Sequence, residues 1–330
     1  MHHFIKSGLR RATATTAFAA FVTLMERWKD RRPGVLRVLM YHRIDWETNR
    51  PHLNPALLSA DPETFAQQME HLARRYHVVS IDEVVAALAD HRRLPRRAVL
   101  LTFDDAYQDF AEHAWPTLKR HGLPATLFVA TGYPDRPERA FWWDRLQHAL
   151  LEPAGDVVDT PCGQLALTDA PARERALRRI VQRAKELPHA EAMAMIDEVC
   201  RQLSAPASPN PVLSWDELRR LAAEGVTLGA HTCNHPLLNR LAIEEAREEM
   251  VQSQRTLEAE LGTLRPIVAY PAGGISPEVI ETARRAGFVL GFTTQRGLNH
   301  LRVSDPLRLR RINVGRHTPH AAWRAQLVSL

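Results

Sequence analysis

Short β-rich apolar runs alternate with helical patterns along most of this chain, and this alternation is the feature that most restricts its fold. The strand candidates are, in chain order, residues 34–41, 77–80, 98–103, 125–130, 226–230, 266–270, 288–294 and 309–314. Between the first two, Phe65, Met69 and Leu72 recur at helical spacing. Strands that alternate with helices predict βα units around a parallel sheet or barrel. From these candidates we expect about seven parallel strands, one fewer than a full TIM barrel.

The alternation stops between about residues 133 and 212 and then resumes. This stretch carries Pro-rich joints, the aromatic sequence FWWD at 141–144 and a long helical region rich in Arg, Ala and Glu. We interpret it as an inserted helical cap; a spacer without contact to the active site is the alternative. With 330 residues, 45% of them apolar, the chain can bury the core of one large α/β domain, which we place at residues 34–330. Ser214 and Glu217 predict a capping box where the next helix begins.

Composition restricts the class of protein further. Three cysteines in 330 residues cannot form a disulfide framework, which favours a reducing compartment. The net charge is +5, and arginine pairs occur at 31–32, 92–93 and 96–97. These pairs could face an anionic polymer or an anionic lipid surface, but we favour the interpretation as solvated loops, and we expect no nucleic-acid partner.

Residues 1–33 form a basic and apolar extension ahead of the first strand. Lys6, Arg10 and Arg11 precede the apolar run TATTAFAAFVTLM, an order that also occurs in signal peptides, but no small-residue cleavage site follows. The run is too short to span a bilayer. We interpret the extension as an amphipathic helix in peripheral contact with a membrane. This favours the cytoplasm or the inner membrane surface, with secretion as the alternative.

Polar residues follow three of the strand candidates directly. Asp104 and Asp105 follow AVLLTF, His231 follows VTLGA, and the turn YPAGG follows PIVA. In βα folds the catalytic side chains lie at the C-terminal ends of the strands. We therefore expect these groups to lie close together.

The pair His231 and His235, in the sequence HTCNH, supplies two imidazoles near such a strand end. Two imidazoles and one carboxylate are a ligand set for Zn²⁺, and Co²⁺ or Ni²⁺ fits the same donors. Consecutive side chains at a strand end point in different directions, so one aspartate can bind the ion while the other accepts a proton. Either pair alone is common in turns and on surfaces, but together at matching strand ends they predict a catalytic metal site.

Three segments, in this order, resemble the motifs of the polysaccharide deacetylases with the NodB-type domain, carbohydrate esterase family 4. They are TFDDAYQDF at 102–110, HTCNHP at 231–236 and AYPAGG at 269–274. The resemblance covers roughly residues 35–314, apart from the insertion. It implies a deformed (β/α)7 barrel of the polysaccharide deacetylase type and a hydrolase that acts on carbon–nitrogen bonds other than peptide bonds.

The same resemblance implies the roles of the site residues. Asp104 is the general base, and Asp105, His231 and His235 hold one divalent metal ion, which we expect to be Zn²⁺. The substrate implied is an N-acetylated polysaccharide or oligosaccharide that contains amino sugars, in exopolysaccharide or cell-envelope metabolism. Release of O-acetyl groups stays open beside release of N-acetyl groups.

Two positions depart from the family pattern. A glycine commonly follows the paired aspartates, and here the residue is Ala106. The third motif usually begins with an arginine that orients the base, and its position holds Ala269. The sequence LRLRRINV offers Arg308, Arg310 and Arg311 as replacements, of which we favour Arg311.

The family also requires a general acid, usually a histidine near the C-terminal end of the domain. The first strand, VLMYH, instead resembles the opening strand of the circularly permuted branch, which includes exopolysaccharide deacetylases. On that reading His42 protonates the leaving amine, with His317 as the alternative. By the family's third motif, the backbone N–H of Ala272 stabilises the oxyanion.

Aromatic residues are candidates for the walls of the substrate cleft, since sugar rings are commonly held on aromatic faces. The candidates are Trp142, Trp143, Tyr107 and Tyr270. Core packing is the alternative for each. Cys233 lies between the two histidines, and we expect its side chain to point away from the ion.

Two other functions remain open from the sequence. A carbohydrate-binding protein without turnover would keep the fold, but retention of both aspartates and both histidines argues against it. An amidohydrolase-type barrel that acts on a small molecule usually carries an HxH pair on an early strand, and none stands in such a position here.

Overall fold

The computed structural model of the chain describes residues 16–28, 34–263 and 265–328. The strands are β1 (Val35–Tyr41), β2 (Arg43–Ile44), β3 (Leu58–Ala60), β4 (His77–Val78), β5 (Ala98–Phe103), β6 (Thr126–Val129), β7 (Val157–Thr160), β8 (Gly163–Ala166), β9 (Thr227–Ala230), β10 (Ile267–Ala269), β11 (Leu290–Phe292), β12 (Asn299–His300) and β13 (Ile312–Asn313).

The helices surround these strands. They are α1 (Thr16–Trp28), α2 (Pro62–Arg75), α3 (Ile81–Ala89), α4 (Trp115–Arg120), α5 (Trp142–Leu151), α6 (Ala170–Glu186), α7 (His189–Gln202), α8 (Trp215–Ala223), α9 (Ile243–Leu261), α10 (Pro277–Arg285) and α11 (His320–Val328). Ser214 and Glu217 form the expected capping box at α8: the Ser214 side chain accepts from the Glu217 N–H, and the Glu217 carboxylate accepts from the Ser214 N–H at 2.8 Å.

The main sheet is parallel and strongly curled. Its strand order is β11-β10-β9-β6-β5-β1, with β12 antiparallel beside β1 and β4 beside β5. Leu309 forms a parallel bridge with Phe292 of β11, and β13, three residues further on, pairs in parallel with β1. The segment 309–313 therefore links the two edges of the sheet. The expected fold, a deformed barrel around a parallel sheet, is confirmed, although eight strands rather than seven pair in parallel.

Two apolar layers hold the curled sheet. Alternate residues of a strand face opposite sides, so Leu36 and Val38 of β1 belong to one buried cluster, whereas Leu39 and Tyr41 belong to another. All residues of β1 and β5 are buried. Near-continuous apolar strands are typical of a parallel sheet covered on both faces.

The residues between β6 and α8 form the helices α5, α6 and α7 and the hairpin β7-β8. The three helices pack on one another, and their apolar residues join the cluster that contains Tyr41. The alternation of strands and helices therefore stops in this segment, which is where the sequence pattern also breaks.

The helix α1 packs against α11 at the outside of the barrel. Its Glu26 carboxylate pairs with Arg324 of α11 and with His71 of α2. Lys6, Arg10 and Arg11 lie outside the described residues. No helix in the described ranges is long and apolar enough to cross a bilayer. The three cysteines are not joined by disulfides.

Candidate metal centre

The polar groups singled out in the sequence meet at one end of the barrel. Asp104 and Asp105 follow β5 directly, and His231 follows β9 directly. Since β5, β6, β9 and β10 are neighbours in that order and parallel, their C-terminal ends form a common edge. The strand ends therefore bring together side chains from distant parts of the chain.

Asp105, His231 and His235 form a compact buried cluster. Nε2 of His231 lies 3.4 Å and Nε2 of His235 3.3 Å from Oδ1 of Asp105. One donor atom from each of the three residues lies within 4.8 Å of the other two. The arrangement can hold one divalent cation with a carboxylate and two imidazoles.

Two features of the cluster fit a cation. Oδ1 of Asp105 is buried and has no hydrogen-bond partner among the described residues, and a buried carboxylate oxygen without a donor is costly. The donor set of one oxygen and two ring nitrogens is that of catalytic zinc sites with three protein ligands. The residues present therefore fit a divalent ion.

The electrostatics of the cluster follow from burial and mutual contact. Burial works to raise the pKa of Asp105, but the two imidazoles outweigh it and hold that pKa below its usual value. Burial lowers the pKa of His235, which favours the neutral imidazole that metals bind. Burial also works to lower the pKa of His231, but Asp105 and Asp104 raise it above its usual value.

Each histidine is oriented by its surroundings. Nδ1 of His231 lies 2.7 Å from the carbonyl oxygen of Ala269, so a proton on Nδ1 leaves Nε2 as the ligand atom. The backbone N–H of His235 donates to Oγ1 of Thr232 at 3.0 Å. The indole of Trp143 packs edge-on against the His235 ring, with the ring centroids 4.6 Å apart.

Glu249 of α9 stabilises the turn between the two histidines. Its carboxylate accepts the N–H of Cys233 at 2.9 Å and that of Asn234 at 2.8 Å, and it also accepts from the Asn234 side chain. Glu249 was not singled out in the sequence, because an acidic residue on a charged amphipathic helix gives no signal of its partners. Cys233 points towards Thr131 and lines a surface pocket apart from the cluster.

Asp104 forms a buried bidentate ion pair with Arg311. Both guanidinium–carboxylate distances are 2.7 Å, and the two side chains are 3% exposed or less. Burial works to raise the pKa of Asp104, but Arg311 outweighs it and holds that pKa below its usual value. Nε of Arg311 also donates to the carbonyl oxygen of Thr293. Of the three arginines considered, Arg311 is thus the one beside Asp104, whereas Arg308 and Arg310 are exposed.

A cleft of about 340 Å³ opens above these residues, and we call it the aspartate–histidine cleft. His42, Ala272, Trp142 and Trp143 are among the residues that line it. His317 does not line this cleft; it lines a second cavity.

The structure does not bring either candidate tyrosine to the wall of the cleft. Tyr107 is buried behind Trp143: its hydroxyl donates to Asp144 at 2.7 Å and accepts the indole N–H of Trp143 at 2.8 Å. Tyr270 is buried in the core, where its hydroxyl donates to the carbonyl oxygen of Leu307. Trp143 lines the cleft, whereas Tyr107 contacts Trp143 from behind and does not line the cleft itself.

Backbone strain concentrates around this site. Among the described residues, five of the nine non-glycine residues with positive φ belong to its turns: Asp105, Ala106, Thr232, His235 and Ala272. Such conformations cost on the order of 1–2 kcal/mol each for L-residues and cluster at functional sites. At Gly273 (φ +70), a Cβ would lie 2.1 Å from Oγ1 of Thr294, so only glycine fits the turn beside Ala272.

The chain is similar to known proteins in sequence and in fold. The sequence profile of the polysaccharide deacetylase family matches residues 91–291, more than half of the chain. The putative polysaccharide deacetylase YxkH of Bacillus subtilis is 21% identical over 270 residues, which are 82% of this chain and 68% of that protein. The poly-beta-1,6-N-acetyl-D-glucosamine N-deacetylase of Escherichia coli K12 is 23% identical over 276 residues, 82% of this chain but 35% of that protein.

Solved structures show the same fold. The Streptococcus pyogenes deacetylase PplD, in complex with acetate, has a TM-score of 0.62 at 22% identity, over 90% of this chain and 99% of that one. IcaB from Ammonifex degensii has a TM-score of 0.58 at 21% identity, over 90% and 98%.

Proposed function

The chain belongs to the polysaccharide deacetylase family, and from this premise we propose that it is a metal-dependent hydrolase of acetylated amino-sugar polysaccharides. The proposed reaction releases acetate from N-acetyl groups and leaves a free amine. Exopolysaccharide or cell-envelope metabolism is the proposed setting. The observation that carries the proposal is the adjacency, in one cleft, of the Asp105–His231–His235 cluster and the buried pair of Asp104 with Arg311.

Asp105, His231 and His235 would hold the divalent ion, proposed as Zn²⁺. When bound, such an ion polarises a carbonyl oxygen and acidifies water, which is the chemistry that an amide needs for attack at neutral pH. Asp105 would bind the ion and Asp104 would remain available as a base, because Arg311 holds Asp104 ionised.

Asp104 would accept a proton from the attacking water as its oxygen bonds to the acetyl carbon. Ala272 lines the cleft, and its backbone N–H would donate to the carbonyl oxygen as negative charge develops there. His42 would donate a proton to the nitrogen as the carbon–nitrogen bond breaks. The products are acetate and the amine.

The decisive experiment measures acetate release from poly-β-1,6-N-acetylglucosamine and from β-1,4-linked N-acetylglucosamine oligomers. We expect release by the wild type with Zn²⁺, Co²⁺ or Ni²⁺ and its loss after chelation. Asp105→Ala and His235→Ala should lose both metal and activity, while Asp104→Asn should keep the metal and lose activity. Full acetate release by these variants would contradict the site, and glycan binding without release by the wild type would favour a non-catalytic binding protein.

His42 has its own test because its role depends on the permuted arrangement. His42→Ala should keep the metal, bind substrate and lose on the order of 10²–10⁴-fold in kcat, the usual contribution of general acid catalysis. His317→Ala, measured on the shortest substrate, serves as the comparison, since His317 lies outside the aspartate–histidine cleft. An unchanged kcat in His42→Ala with a loss in His317→Ala would reverse the assignment.

We also propose that α1 makes peripheral contact with a membrane. Phe21 and Leu24, three residues apart on this helix, are 57% and 62% exposed. Large apolar side chains exposed on one face of a helix suit the interfacial region of a membrane. Flotation with phosphatidylserine vesicles should recover the wild type but not Phe21→Ser/Leu24→Ser, whereas Val303→Ser, at an 84% exposed site elsewhere, should behave as the wild type. Equal recovery of all three proteins would refute the contact.

A further inference from the structure

One face of the inserted helix α6 lines two cavities. The residues are Glu174, Leu177, Arg178, Val181 and Lys185. They recur at intervals of three, one, three and four, which places them along one side of the helix. Glu174, Leu177 and Arg178 line a second cavity of about 560 Å³, and Val181 and Lys185 line the aspartate–histidine cleft.

The two cavities adjoin. Asn54 and Ala56 line both of them. The second cavity is completed by residues 315–319, which follow β13, and by Ala322 of α11. Because residues 315–319 follow the C-terminal end of β13, the second cavity lies at the same end of the barrel as the cleft.

The shared wall is anchored in the protein interior. The backbone N–H of Asn54 donates to Oδ1 of Asp144 at 2.7 Å, and the other oxygen of that carboxylate accepts from Tyr107, which in turn supports Trp143. Asp144 is fully buried. One carboxylate of the insertion therefore fixes both the boundary of the second cavity and the aromatic wall of the cleft.

We propose that the stripe on α6 forms the floor of one continuous substrate groove, in which the second cavity binds the sugar residue next to the one being deacetylated. This proposal rests on the proposed function and adds which part of the chain recognises the flanking glycan. The cavities have the size of ligand sites, and an apolar lining with a few polar groups is typical of such sites. Leu177, Pro319 and Ala322 offer apolar surface for a ring face, and the hydroxyl of Thr318 offers a hydrogen-bonding group for a sugar hydroxyl.

The first consequence is a dependence on chain length. The wild type should act on N-acetylglucosamine oligomers with a kcat/KM that rises from the monomer to the trimer or beyond, as the flanking residue fills the second cavity. The series is measured with both β-1,4 and β-1,6 linkages. Equal kcat/KM for monomer and pentamer in both series would overturn the proposal.

A matched pair of variants tests the location. Ala322→Leu places a larger side chain in the second cavity, and Ala321→Leu makes the same change at the neighbouring position, which does not line it. Ala322→Leu should lower kcat/KM on the pentamer by about tenfold or more, chiefly through KM, a typical effect of a methylene-scale change in a pocket. On the shortest substrate it should stay within about twofold of the wild type, and Ala321→Leu should match the wild type on all lengths. A loss that is equal on all lengths, or no loss, would contradict the groove.

A binding measurement separates failure of the groove from failure of the proposed function. Titration calorimetry with the pentamer needs no turnover. Suppose that the wild type releases no acetate, and that Ala322→Leu binds the pentamer more weakly than the wild type while Ala321→Leu binds it equally well. The groove is then supported and the enzymatic proposal is contradicted. If acetate is released but pentamer binding is the same in all three proteins, the groove falls and the enzyme stands.

Discussion

At the scale of single residues, the pair of Asp104 and Arg311 shows how strand geometry selects among equivalent candidates. Arg308, Arg310 and Arg311 all fall in one short segment, and their spacing alone does not rank them. The segment 309–311 pairs with β11, so successive side chains alternate between the barrel interior and solvent. Leu309 and Arg311 face inwards and are buried, whereas Arg308 and Arg310 are exposed.

Replacing Arg311 should be costly because it leaves a buried carboxylate without its counter-charge. Removal of one partner of a buried pair typically destabilises by about 3–5 kcal/mol. We expect a loss of this size in the free energy of unfolding of Arg311→Met, measured by urea denaturation, together with loss of acetate release. Arg308→Met, at an exposed position, should stay within about 0.5 kcal/mol of the wild type. Similar stability of the two variants would show that Arg311 does not stabilise Asp104.

Asp144 predicts a specific dependence of stability on pH. Burial raises the pKa of Asp144 from 3.8 to about 7; the charged groups near it are Arg43 and Asp105. Because the folded-state pKa lies above the unfolded one, the contribution of this group to stability is full below about pH 4 and is lost as the pH rises through about 7. The loss is about 1.4 kcal/mol per pH unit inside that window, or about 4 kcal/mol in all.

Asp144→Asn should remove this dependence. The free energy of unfolding of the variant minus that of the wild type should increase by about 4 kcal/mol between pH 4 and pH 8, and any constant effect of the amide cancels in that comparison. Urea denaturation at a series of pH values measures it. Parallel curves for the two proteins would show that Asp144 titrates in its ordinary range.

At the scale of secondary-structure elements, the turn that carries both histidines depends on α9. Thr232 and His235 have positive φ, and Glu249 accepts two backbone N–H groups of this turn. A helix that follows the turn in sequence thus holds it in its strained conformation. Outer groups that orient ligands typically contribute 10–100-fold to metal affinity.

Glu249→Ala should therefore weaken Zn²⁺ binding by about 10–100-fold while the fold persists. Glu249→Gln keeps one acceptor oxygen and should lie between Glu249→Ala and the wild type. Glu248→Gln, on the exposed side of the same helix, is the matched control and should bind as the wild type does. Competition with a chromophoric chelator measures the affinities, and equal affinity of all variants would mean that the turn holds its shape without the contacts of Glu249.

Elements also show what the sequence could and could not predict. The parallel strands, the break at the insertion and the residues at the strand ends are visible because periodicity and position along a βα unit are local properties. Asp144 and Glu249 are not visible in this way, because both act on backbone N–H groups brought to them by the fold. Tyr107 and Tyr270 were expected at the cleft wall, but one hydroxyl supports Trp143 from behind and the other binds a core carbonyl oxygen.

At the scale of the whole molecule, the cluster joins segments that are far apart in sequence. Asp105 lies more than 120 residues before His231, and the strands that carry them are separated in the sheet by β6. An ion bound by all three side chains exists only when the barrel has formed, so its binding energy adds to the stability of the folded state. Metal should therefore act on global unfolding and not only on activity.

The wild type should unfold at a higher temperature with Zn²⁺ than with a chelator. At a free-ion concentration 100 times the dissociation constant, the gain in stability is about 2.7 kcal/mol, which corresponds to about 4 °C for a chain of this size. His235→Ala removes one ligand from the cluster and should show little or no shift, whereas His317→Ala, outside the cluster, should show the full shift. Scanning calorimetry of the three proteins with and without Zn²⁺ measures this. An equal shift in all three would place the stabilising ion elsewhere, since binding to the cluster cannot survive loss of His235 unchanged.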